Sequence, residues 1–310
     1  MKTILKIFLM LALSLQVAAV SAREKVEKVV TKSFDAKKGS TLSVENTYGK
    51  INVQNLDKNE IYFEVRITGE ARTKAEAEDI VNNVVKITFN QVGQTVSART
   101  SFNGSCNNCS RSIDYTVMVP RAVNYKIENK YGNVSMPDID GNSDIIVRYG
   151  DLTIENIKGT TTTIDVRYGN LRTGDISSAR NNFDVKYGNT KISKLMGTSN
   201  NITTSYGNGV TIDQTNKLDI DIKYSKLKVG QADELNVESG YSNTNIEKVK
   251  KLNVTSKYEN YTIGEVDELK GTFGYSKVNI EKLNKSLNIS EIKYNNLTMD
   301  YVKADFDKIN

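Results

Sequence analysis

The sequence predicts an all-β fold: a right-handed parallel β-helix (β-solenoid) of about 17–19 residues per coil. Its N-terminal part is elaborated and contains one short helix. Three observations carry this. A tyrosine recurs at Tyr131, Tyr149, Tyr168, Tyr187, Tyr206, Tyr224, Tyr241, Tyr258, Tyr275 and Tyr294, in steps of 17–19 residues. Around each tyrosine lie two short runs in which apolar and polar residues alternate, the pattern of half-buried strands. The composition is rich in Asn, Thr, Val and Ile and holds only two prolines, as a β-rich chain should.

Within a copy, apolar residues sit four and two before the tyrosine, then three, five and often eight after it. For Tyr168 these are Ile164, Val166, Leu171, Thr173 and Ile176. For Tyr187 they are Phe183, Val185, Thr190, Ile192 and Leu195. Tyr48, with Val44, Ile51, Val53 and Leu56, makes an eleventh copy. The alternation slips by one residue just after the tyrosine. There the early copies have Gly132, Gly150, Gly169, Gly188 and Gly207, and later ones Ser225, Ser242 and Ser276, which suggests a bend or bulge made by glycine. A turn of two or three polar residues is expected between copies. A unit this short has no room for a helix and cannot bury its apolar face alone, so copies must stack. One copy per coil, at about 4.8 Å per coil, gives a rod of roughly 50 Å for ten coils. Parallel crossovers are overwhelmingly right-handed, hence the hand. A leucine-rich repeat has a longer unit, and an outer-membrane barrel needs longer strands with an apolar outer face.

Three segments follow. Residues 1–22 carry Lys2 and Lys6, an apolar run from Ile7 to Leu15 and small residues up to Ala22, the pattern of a secretory signal peptide too short for a comfortable membrane span. Residues 23–125 read as a capping part of the solenoid. "EIYFEVRI" and "SIDYTVMVP" alternate as strands. "TKAEAEDIVNNV" opens with a capping box, Thr73 and Glu76, and lines up Ala77, Ile80, Val81 and Val84. "KITFNQVGQTVSART" reads as a hairpin turning at Gly93. Residues 126–310 are regular coils. No later apolar run is long enough to span a membrane.

The net charge of +5 falls to +3 without Lys2 and Lys6, too mild for nucleic-acid binding. There is no histidine, the commonest general base and metal ligand, and no tryptophan. Cys106 and Cys109, in "GSCNNCS", read as a small disulfide loop in an exported chain. Their Gly, Asn and Ser flanks are a turn rather than the helix start of a redox site, and two further zinc ligands are lacking. No metal or other cofactor is expected.

Three further rows remain. By alternation the tyrosines share the parity of the core, so they are expected at the edge of the core face as an aromatic packing ladder; a carbohydrate-binding strip is the alternative. The residue before the tyrosine is basic in Lys130, Arg148, Arg167, Lys186, Lys223, Lys257 and Lys293. Two residues earlier lie Glu128, Asp165, Asp184, Asp221, Glu238 and Glu291. The pairing reads as a charge-balanced face, with an anion-binding strip as the alternative. Asn133, Asp151, Asn170, Asn189, Asn208, Asn243, Asn260 and Asn296 stand two after the tyrosine and suit a turn ladder.

The recurring "YGN-x-[LVT]-x-[IV]" coils, after a leader and a strand–helix–strand part, resemble bacterial "putative adhesin" domains of the secreted β-helix type. They are similar to the auto-transporter adhesin head (GIN-type) domains. The resemblance implies a surface or envelope protein and supplies no catalytic residues. The expected function is an exported, non-enzymatic β-solenoid of the periplasm or cell surface that meets a protein or glycan on an outward face. An envelope scaffold or sensor is the alternative. A polysaccharide-active enzyme would need carboxylates or basic residues breaking the repeat, which the regular columns do not provide.

Overall fold

A computed structural model describes residues 23–105, 108–293, 296–303 and 308–309. The leader, Cys106 and Tyr294 lie outside the described residues. All strands join one continuous hydrogen-bonded sheet, wound so that two runs of stacked strands face each other across the core.

A coil consists of two limbs. In the clearest coils the first limb is β12 (Thr161–Arg167) or β14 (Arg180–Lys186), and the second is β13 (Leu171–Ile176) or β15 (Asn189–Leu195). Strands stack in parallel on the equivalent limb of the next coil, in register: Ile164 on Phe183, Val166 on Val185, Leu171 on Thr190. Strict alternation puts these columns inside, and Ile164, Val166, Leu171 and Ile176 are all at most 1% exposed. Each column continues along the rod, from β8 (Asn124–Lys130) and β9 (Val134–Met136), through β10 (Ser143–Arg148) and β11 (Leu152–Ile154), to β16 (Ser199–Ser205) and beyond.

The expected polar turn between copies is present only in the early coils. From β17 (Gly209–Lys223) the second limb runs unbroken into the next first limb, and so it continues through β18 (Lys226–Gly240), β19 (Asn243–Lys257), β20 (Asn260–Gly274) and β21 (Lys277–Lys293). The coils from Tyr224 to Tyr275 have 17 residues each and none to spare for a loop, and β21 takes up its extra residues where its pairing with β20 shifts register. The column of Ile157, Ile176 and Leu195 continues in them as Ala232, Val249, Val266 and Leu283, all buried at the bend. The last strands, β22 (Asn296–Val302) and β23 (Lys308–Ile309), lie on β21.

The N-terminal part closes the other end. The first coil, β2 (Thr41–Thr47) and β3 (Ile51–Asn55), lies directly under β8 and β9. The chain then leaves the repeat and comes back beneath that coil as β6 (Thr95–Phe102) under β2 and β7 (Ser110–Val119) under β3. Antiparallel strands finish both faces: β5 (Val85–Val92) on β6, then β4 (Glu60–Ala71) on β7 and β1 (Glu24–Asp35) on β4. The β5–β6 hairpin turns at Gly93, which has positive φ. Helix α1 (Lys74–Asp79) carries the capping box of Thr73 and Glu76. It runs into a π-helical turn, Ile80–Val84, and Ala77, Ile80, Val81 and Val84 are buried over the open end of the core. The exposed edge strand β1 carries charged residues, Glu24, Lys25, Glu27, Lys28 and Lys32, which discourage edge-to-edge pairing.

Candidate functional site

The site is the corner between the two limbs. Every described repeat tyrosine, from Tyr48 to Tyr275, takes a left-handed backbone conformation, with φ between 51° and 65°. That turn reverses the direction of the side chain. The tyrosines therefore do not lie on the core side, as alternation predicts. They stand outside, 37–55% exposed.

The following glycines also differ from expectation. Gly132, Gly150, Gly169, Gly188 and Gly207 do not have positive φ. Their role is close approach: a Cβ on Gly150 would collide with the carbonyl oxygen of Gly132, and one on Gly169 with that of Gly150. The tyrosine makes the bend, and the glycine lets neighbouring coils meet beside it.

The rings stack face to face in an unbroken row from Tyr48 to Tyr275. Centroids are 4.6–5.4 Å apart and planes tilt by at most 16°. Most ring faces are thus covered by neighbouring rings, and ring edges and hydroxyls face solvent. At the capped end, Phe102 meets the Tyr48 ring edge-on, and the Arg111 guanidinium lies 4.0 Å from the Phe102 centroid and 5.0 Å from that of Tyr48. Both residues lie outside the repeat, so the column pattern could not single them out. A left-handed bulky residue costs roughly 1–2 kcal/mol, and an aromatic pair returns about 0.5–1.5 kcal/mol. The two nearly cancel, so the row is not explained as a source of stability.

On one side of the corner runs the charged row. Asp165 bridges Arg148, at 2.7 Å, and Arg167, at 2.8 Å. Arg167 reaches on to Asp184, and Lys186 closes the chain 3.7 Å from Asp184. Burial pushes the Asp165 carboxyl up, but its hydrogen bonds and the charges of both arginines outweigh this and hold it below the usual range. Further along, Lys223 pairs with Asp221 at 3.2 Å. On the other side runs the asparagine row. The backbone N–H of Asn170 donates to Asp151 Oδ1 at 2.8 Å, that of Asn189 to Asn170 Oδ1 at 3.0 Å, and that of Asn208 to Asn189 Oδ1 at 3.0 Å. This is the expected turn ladder.

One residue below the corner is unforeseen. Glu259 follows Tyr258 where other described coils have glycine or serine, and is 2% exposed. Its carboxyl accepts hydrogen bonds from the Ser242 backbone N–H at 3.0 Å and the Thr244 hydroxyl at 2.9 Å. Burial pushes its pKa up to about 7 against those bonds. The odd residue in a column of small ones was the available signal. Cys109 is half-buried at the edge of the cap and disulfide-bonded. Its expected partner, Cys106, lies outside the described residues, as does Tyr294. No helix among the described residues is long and apolar enough to cross a membrane.

No family model matches the chain, and no curated protein is similar to it. Solved structures are similar to it over most of its length. One is described as a putative adhesin from Parabacteroides merdae ATCC 43184, with 13% identity over 88% of this chain and 96% of that one and a TM-score of 0.39. A second is a putative adhesin from Parabacteroides distasonis ATCC 8503, with 11% identity, the same coverage and a TM-score of 0.37. A third is described as a putative lipid binding protein from the same strain, with 10% identity, the same coverage and a TM-score of 0.38.

Proposed function

We propose that this chain is an exported, non-enzymatic binding protein of the bacterial cell envelope, an adhesin-type rod that holds an extended partner along its tyrosine corner. One observation carries the reading: the backbone keeps a row of half-exposed aromatic rings outside at a conformational cost that their stacking only about offsets. Aromatic side chains offer large contact area and little entropy to lose on binding, and the row repeats them at a fixed pitch. The leader-like first 22 residues support export. The regularity of the outward rows, whose charges are largely tied to one another in the N-terminal half, supports binding rather than catalysis.

The test has two arms. Protease shaving of intact cells should cleave the chain if it faces outward; an untouched chain would overturn adhesion to an external target. Purified protein with Tyr149, Tyr168 and Tyr187 all changed to Asn should remain folded, since Asn tolerates the left-handed backbone. It should lose most of the wild-type adhesion to whole cells and coated surfaces. Full adhesion by that variant would remove the corner from the proposal.

A further inference from the structure

The face beside the tyrosine corner changes character along the rod. In the N-terminal coils the position before the tyrosine holds Arg148, Arg167 and Lys186, whose ion pairs with Asp165 and Asp184 cover the strands. In the C-terminal coils the same position alternates between lysine and glycine: Lys223, Gly240, Lys257, Gly274. These glycines are not demanded by the backbone. Neither has positive φ, and a Cβ on Gly240 would have its nearest neighbour 3.9 Å away. Glycine in a strand weakens it, and it often marks a place where something else approaches closely.

Beside those glycines, at the positions three and five before each tyrosine, the outer face forms a groove of about 830 Å³. Two rows of polar side chains line it in strict register. Asp219, Asn236 and Asn253 form one row; Asp221, Glu238 and Thr255 form the other. At the far end the pairing of β20 with β21 shifts register next to Gly271, and Ser290 there lies beside Thr272, with 2.8 Å between their hydroxyls. Asn236 and Asn253 pass hydrogen bonds down the first row toward Asp219. Glu238 is exposed and makes no ion pair among the described residues.

From this we infer that the groove is a binding site for a linear, uncharged polysaccharide laid along the rod axis. The inference rests on the binding reading above and narrows it to a ligand class. Planar carboxylates and amides pair well with neighbouring sugar hydroxyls, and the rows repeat them at the strand spacing of about 4.8 Å, close to the rise of one sugar in an extended chain. Such recognition is polar and tolerant of bridging water. Three carboxylates, Asp219, Asp221 and Glu238, against Lys270 disfavour anionic polymers, and the lining is an outward face with no free strand edge for a peptide to extend.

Titration calorimetry with cellohexaose, mannohexaose and hexagalacturonate tests this. At least one uncharged hexasaccharide should bind the wild type, and the anionic one should not. Gly240→Arg, two residues from Glu238 on the same outward face, sets beside the groove the kind of side chain that closes the face in earlier coils, and should weaken binding at least tenfold. Glu238→Lys, at an exposed position, should do the same if Gly240→Arg disturbs the fold. Lys158→Ala, at an exposed position outside the groove and away from the corner, should bind as wild type. No binding of either uncharged sugar, binding unchanged in both groove variants, or preference for hexagalacturonate would each overturn the groove. The two proposals fail separately. Wild-type adhesion with no binding of either uncharged sugar removes the groove alone. Sugar binding by a Tyr149, Tyr168, Tyr187 variant that adheres normally removes the corner alone.

Discussion

Glu259 shows how one residue can set a pH response in a chain without histidine. Its carboxyl has a folded-state pKa of about 7, above the 4.5 of the exposed group. Below pH 4.5 the folded and unfolded states are both protonated and the full stability is present. As pH rises from there to about 7, the unfolded chain releases a proton that the folded chain keeps, so stability falls, by on the order of 3 kcal/mol. The neighbouring Tyr261 does not share this window, because burial and then the Glu259 carboxylate push its phenol up. Chemical denaturation at pH 5 and pH 8 should show the loss in wild type. It should be largely absent in Glu259→Gln, whose amide can donate to Thr244 and accept from Ser242. Equal pH dependence in both would assign the effect elsewhere. Legibility was weakest at this scale. Alternation placed the tyrosines inward because it assumed that strand geometry continued through Tyr168. The phase slip just after it was the sign that it did not.

At the scale of the element, the corner is the unit that repeats, and its two residues have separate tasks. Tyr168 bends the chain, and Gly169 makes room for the Gly150 carbonyl. Gly169→Ala should therefore destabilise by about 1–3 kcal/mol, as overpacking does, measured by urea unfolding. Tyr168→Asn should stay within about 1 kcal/mol of wild type, because relief of strain and loss of stacking oppose each other. A harmless Gly169→Ala would show that the coils can slide apart. Elements were mostly readable beforehand. The Thr73–Glu76 box, the hairpin at Gly93 and the strands at 61–67 and 112–119 follow directly from spacing and turn chemistry. The unbroken strands from β17 onward are not, because coil length does not decide it: the 18-residue coil that begins at Tyr131 keeps its polar turn and the 18-residue coil that begins at Tyr206 does not.

On the scale of the whole molecule, each coil touches only its neighbours, apart from the first, which is held between the returning cap and β8. Stability is then a sum of local terms, and damage should stay local. Val185→Asp puts a charge in the middle of the core, where Val185 is 0% exposed. Hydrogen exchange should show lost protection over β12 to β16, with β4 and β7 in the cap still protected. Uniform loss of protection would mean that the rod folds as a single cooperative unit. The periodic pattern gave the stacking order of the coils, but not the return of residues 95–119 beneath the first coil. That pairing joins segments with no repeat in common.

The tyrosine row also makes the molecule an optical instrument. The chain has no tryptophan, so its near-ultraviolet emission is tyrosine emission alone. Rings stacked about 5 Å apart are close enough to hand an excitation from one to the next along the rod. Because neighbouring planes are nearly parallel, light absorbed at one coil should emerge from the next with most of its polarisation kept. A single coil that opens would interrupt the transfer, so the fold carries its own label-free gauge of continuity.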